Sequence, residues 1–133
     1  MDILTDQTRN RLKSLSRAMI RLHKVLLDDA KSEYEVKNGR IENVYVYYQL
    51  VLNDKHFSWL RRISYMIALI DEATSLRHPA TESEAQDLFR KTQLLLNFED
   101  EDEDFNRKFQ DALTKNRLAI SNYEEVLALF DEE

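Results

Sequence analysis

Residues 44–73 read VYVYYQLVLNDKHFSWLRRISYMIALIDEA, the most apolar segment of the chain. On a helix advancing about 100° per residue, Trp59, Leu60, Ile63, Met66, Ile67, Leu69 and Ile70 occupy about half the circumference, far more than the narrow stripe of a surface helix. Only Arg61, Ser64, Tyr65, Ala68 and Glu72 are left to look outward. So wide an apolar arc needs neighbours on several sides, which predicts the central helix of a helical domain over 54–75, capped by Asp54. The preceding IENVYVYYQLVL, 41–52, favours strand by local propensity because Val and Tyr do. No second β-branched, aromatic run bounded by turn residues exists to pair with it, and an isolated strand is not stable. The segment is therefore predicted as helix, with Ile41, Val44, Tyr47, Tyr48 and Val51 inward.

Outward from this segment the chain reads as more helix. Over 6–37, Leu12, Leu15, Met19, Leu22 and Leu26 recur at steps of three and four, the period of a stripe facing a partner. Thr5 or Thr8 can cap its start and Gly39 suits the left-handed residue after its end. Arg77-His78-Pro79-Ala80 is a turn, and Thr81-Glu82-Ser83-Glu84 is a capping box opening a helix with Ala85, Leu88, Phe89, Leu95 and Leu96 inward. The run Glu99 to Asp104, all acidic, is expected to stay solvated. Phe105, Phe109, Ala112 and Leu113 mark a short helix, and Tyr123, Val126, Leu127 and Phe130 mark a last one, with Ser121 as a candidate internal cap. The expected fold is all-α: an antiparallel helical bundle of four main helices with one or two short extra helices, one domain over 1–133.

The segments LHKVLLDDAKSEYEVKNGRI and LVLNDKHFSWLRRISYMIALIDEA are similar to a family of small uncharacterised bacterial proteins. Its members carry L-H-K-x-L-L-D, L-V-L-x-D and W-L-R-x-(I/L)-S…I-D-E segments, and the resemblance covers roughly residues 21–76. In that family proline is frequent where Lys55 and Arg62 stand here. The resemblance implies a helical fold and a bacterial source. It carries no activity and no catalytic residue.

Composition narrows the chemistry. One Gly and one Pro exclude the G-x-S-x-G elbow and the G-x-x-x-x-G-K loop, which need two glycines each. With no cysteine there is no thiolate nucleophile, no disulfide and no Cys-ligated zinc. The residues three before His23, His56 and His78 are Ile20, Asn53 and Ser75, so no Glu-x-x-His pair exists for a di-iron site. No metal and no cofactor is expected. The start, MDILTDQTRN, is not a signal peptide, and no run reaches the ~20 apolar residues of a membrane span, so the expectation is a cytoplasmic chain without a membrane. A net charge of −6 makes the chain acidic and argues against nucleic acid as a partner.

Two groups of residues remain as candidate sites. His56 falls in the first turn of the central helix beside Trp59; a core histidine bonded to a carbonyl is the plain reading, and a ligand pocket formed by His56, Trp59, Arg62 and Tyr45 is the other. Arg62, on the rim of the apolar arc, is expected to meet a carboxylate. The second group is a basic ridge. Arg9, Lys13, Arg17, Arg21 and Lys24 lie opposite the leucine stripe, with Arg11 nearby and no acid among them. The 99–104 run is its expected internal partner, unless the charges are simply solvated; the functional counterpart is an acidic protein or, against the net charge, RNA or DNA. The sequence thus points to a non-catalytic interaction module binding a protein or a second copy of itself, through the ridge or through an apolar patch of the Tyr-rich segment. A small-molecule binder or enzyme using the His56, Trp59 and Arg62 pocket is the alternative.

Overall fold

The computed structural model describes residues 2–131. Among them the fold is an all-α bundle without strands, built of α1 (Asp6–Asn38), α2 (Val44–Asn53), α3 (Arg61–Ala73), α4 (Glu82–Leu96), α5 (Glu103–Thr114) and α6 (Arg117–Ala128), with a 3-10 helix (Lys55–Leu60) joining α2 to α3. The axis of the fold is α1, not the 44–73 segment. At 33 residues it is about 50 Å long, and it packs against α3 and α6 while touching the 3-10 helix and α4. Leu12, Leu15, Ala18, Met19, Leu22, Leu26 and Ala30 form its buried face. Ser16, polar within that face, donates to Asp71 Oδ1 of α3 at 2.5 Å, so the buried hydroxyl is satisfied across the interface.

The predicted central helix does start at its Asp54 cap, but its first residues wind more tightly than an α-helix. Asp54 is extended and its carboxylate accepts from the His56 amide at 2.9 Å, so residues 55–60 wind as a 3-10 turn before α3 begins. The buried face of α3 is correspondingly narrow, Ile63, Ile67, Ile70 and Ala73 at helical spacing. The second correction concerns α2. Tyr47 and Val51 turn inward as expected, but Val44 and Tyr48 are exposed. The reason is its position: α2 seats chiefly on the 3-10 helix, which covers one side of a helix that is apolar on most sides.

Helix ends follow the capping chemistry closely. Thr5 accepts from the Thr8 amide to start α1, and Gly39 ends it with φ 87°. Thr81 and Glu84 form the expected capping box of α4. The N-termini of α1 and α4 also share carboxylates: Glu82 accepts from the Thr5 amide at 3.1 Å and the Thr8 hydroxyl at 2.6 Å, while Asp2 accepts from the Ser83 amide at 3.1 Å. These hydrogen bonds hold both carboxyls below the usual carboxylate range, led by Ser83 for Asp2 and by Thr8 for Glu82.

The acidic run is not simply solvated. Asp102 caps α5, accepting from Asp104 and Phe105 amides at 3.1 Å, and Glu103 and Asp104 occupy the first turn, where the macrodipole favours negative charge. Asn116, rather than Ser121, caps α6, and its side-chain NH2 also donates to Asp29 of α1 at 2.7 Å. At the end of α4, Phe98 adopts φ 61°, with the Glu99 amide bonded to Leu94 O and the Phe98 amide to Leu95 O, a left-handed closure usually made by glycine. Its ring stacks on Tyr123 and lies 5.3 Å from Phe109, contacts that offset the backbone strain.

Candidate functional site

The residues proposed for one pocket are distributed over three places. The His56 ring contacts the Ala30 carbonyl through Nε2 at 2.7 Å; a carbonyl only accepts, so Nε2 carries the proton. The ring packs edge-on against Phe57 and lies 5.8 Å from Tyr34, which is the core-histidine arrangement. His56 and Trp59 line one shallow cleft with Asp29, Glu33 and Lys108. Arg62 lines a different hollow, between α3 and α4, with Tyr65, Met66 and Leu94. There its guanidinium meets Asp100 at 2.5 Å and Glu101 at 3.6 Å, the carboxylate partner expected for it. Tyr45 stands apart from both, exposed on α2.

The basic ridge is largely engaged within the molecule, though not with the 99–104 run, whose Asp100 and Glu101 answer Arg62 instead. Arg9 donates to the Thr74 carbonyl at the C-terminal end of α3, where a cation complements the macrodipole. Arg11 lies over the Phe89 ring, 4.5 Å from its centroid. Arg21 reaches Glu125 of α6 at 3.8 Å and Lys24 reaches Asp28 at 3.0 Å. These last pairs are exposed and contribute little to stability. Lys13 and Arg17 have no ion pair among the described residues and face solvent.

His23, at the edge of the leucine stripe, is half-buried, and burial pushes its pKa below the ordinary 6.5. A folded-state pKa below the unfolded one means the unfolded chain binds the extra proton. Stability from this group is therefore complete above 6.5 and is lost as pH falls through 6.5 toward the folded-state value. In urea unfolding at a series of pH values, His23→Gln is expected to lose less stability than the natural chain across that window. Parallel curves for the two proteins would show that His23 is not the group responsible.

Another part of the surface with no internal partner is the outer side of α2. Val44, Tyr45, Tyr48 and Leu52 are 64%, 72%, 61% and 63% exposed. On a helical wheel they fall within an arc of about 100°, with Gln49 beside them. The ten residues of α2, VYVYYQLVLN, include no charge at all. The opposite side anchors the helix: Tyr47 lies against Phe57, and the Lys31 ammonium of α1 lies 5.0 Å from the Tyr47 ring centroid. Burial, and the nearby carboxylates of Asp28 and Glu35, push the Tyr47 hydroxyl above its usual pKa. Sequence reasoning named the Tyr-rich segment as a patch but assigned Val44 and Tyr48 to the interior and did not single out Leu52. The signal available was the absence of charge on every side of a helix followed at once by a break at Asp54.

Among the described residues no cluster of three or more His, Asp or Glu side chains is placed to hold a metal ion, and every buried side-chain nitrogen or oxygen has a hydrogen-bond partner. Among the described residues no helix is long and apolar enough to cross a membrane. Compared with known proteins, the chain matches no family model, no curated protein and no solved structure, so the resemblance over residues 21–76 assigns no role to any residue here.

Proposed function

We propose that this protein is a non-catalytic helical-bundle module that binds a protein partner through the outer face of α2. The observation that carries the reading is four large apolar side chains exposed side by side on one uncharged helix. Single exposed hydrophobic residues are ordinary, but a contiguous patch of several hundred Å² marks an interaction surface. Tyrosine, twice present here, is enriched at interfaces because it offers a large rigid ring together with a polar tip. A short helix rich in Val and Tyr is also marginal by propensity, and α2 contributes no fully buried residue to the core. A partner that covers the face stabilises the helix that binds it. The ridge of α1 is the lesser candidate, because Arg9 and Arg11 are committed to Thr74 and Phe89.

A photo-crosslinking amino acid placed at Tyr48 in living cells tests this reading. Irradiation is expected to give discrete crosslinked species of higher mass, and the same probe at Ser64, exposed on α3, is expected to give none. Absence of crosslinked species from both Tyr45 and Tyr48 would overturn the proposal.

A further inference from the structure

Resting on the reading of α2 as a binding face, we infer that the partner is a second copy of this chain, and that the two α2 helices pack antiparallel about a two-fold axis at Tyr48. Area is the first argument. Val44, Tyr45, Tyr48 and Leu52 together expose roughly 500 Å², the larger part of the roughly 800 Å² per partner of a standard interface.

Charge is the second. The chain carries a net −6, so two copies repel each other over most of their surface. In a two-fold contact a group on the axis meets its own copy, so a charge at the centre of the face would be set against a like charge. The α2 face has no charge to set against itself. A foreign partner chosen by charge complementarity would find nothing there to read.

Side-chain chemistry and spacing are the third. Val44, Tyr48 and Leu52 stand at steps of four, so an antiparallel crossing centred on Tyr48 places Val44 of one copy against Leu52 of the other and the two Tyr48 rings together. A phenol both donates and accepts, so two tyrosines related by symmetry satisfy one another. Antiparallel helices also oppose their macrodipoles favourably.

The chain has no cysteine, which makes the test clean. Sedimentation velocity over a concentration series from about 1 μM to a few hundred μM is expected to show a monomer–dimer equilibrium. Tyr48→Glu, with helix content unchanged by circular dichroism, is expected to weaken it at least ~100-fold, because it buries a charge at the centre of the interface. Under a mild added oxidant such as copper–phenanthroline in air, Tyr48→Cys is expected to form a disulfide-linked dimer, while Ser121→Cys, exposed on α6, is expected to form no covalent dimer. Should Tyr48→Glu fail to fold, the Tyr48→Cys yield against that of Ser121→Cys decides. A monomer at every concentration, or a dimer indifferent to Tyr48→Glu without a Tyr48→Cys crosslink, would overturn the inference. A monomer that still crosslinks to a different protein from Tyr48 would leave the interaction module standing and refute only the self-association. Loss of both signals would refute both.

Discussion

Phe109→Ala is expected to destabilise the protein by about 3–5 kcal/mol, the cost of removing a large buried aromatic ring and leaving a cavity behind. Phe109 is fully buried on α5, with Phe98, Phe105 and Tyr123 at centroid distances of 5.3, 5.5 and 5.8 Å. The loss exceeds that of an ordinary core residue because Phe98 depends on this ring to hold its left-handed backbone, and Tyr123 closes the same cluster by donating its hydroxyl to Leu96 O at 2.7 Å. Urea unfolding is expected to show a lower midpoint at an unchanged slope. A loss below about 1 kcal/mol would show that the cluster is not the closely packed core its geometry describes.

Phe57→Ala carries the other large effect, with a different signature. Phe57 is fully exposure-free at the junction of α1, α2 and the 3-10 helix, meeting Tyr34 at 5.8 Å, Tyr47 at 6.1 Å and the His56 ring at 5.0 Å. Its removal is again expected to cost about 3–5 kcal/mol. Because it is the seat on which α2 rests, amide hydrogen exchange is expected to accelerate across 44–53 far more than across α4. Uniform acceleration in both segments would show that α2 does not open separately from the bundle. If the outer face of α2 binds as proposed, this variant also loses binding without any change to the face itself.

Much of the architecture was legible in the chain. The leucine period of α1, the left-handed Gly39 and the Thr81–Glu84 capping box all stand as local chemistry requires. Arg62 was readable as a residue needing a carboxylate, but not that Asp100 would supply it, since that depends on how the loop after α4 returns to α3. The direction of α2 was illegible for a related reason: a helix apolar on most sides has no preferred face, and only its neighbours decide which side is covered. The 3-10 winding at residues 55–60 was hidden for want of any breaker between Asp54 and Arg61. In the acidic run, the general expectation of repulsion concealed a specific use. One member, Asp102, starts a helix, and two others favour its positive end. The candidate site fared least well, because Arg62, close in sequence to His56 and Trp59, lines a hollow separate from the cleft those two share.

The pairing of α1 with α6 sets the order of events on the ribosome. The stripe that α6 covers is made within residues 6–38, whereas Ala119 and Val126, the buried residues of α6, are joined only after α2 to α5. Asp29 likewise waits for Asn116, and Arg21 for Glu125. During synthesis the nascent chain therefore presents part of its longest apolar surface uncovered until α6 has left the exit tunnel. The bundle thus cannot close on α1 before residues 117–128 have emerged.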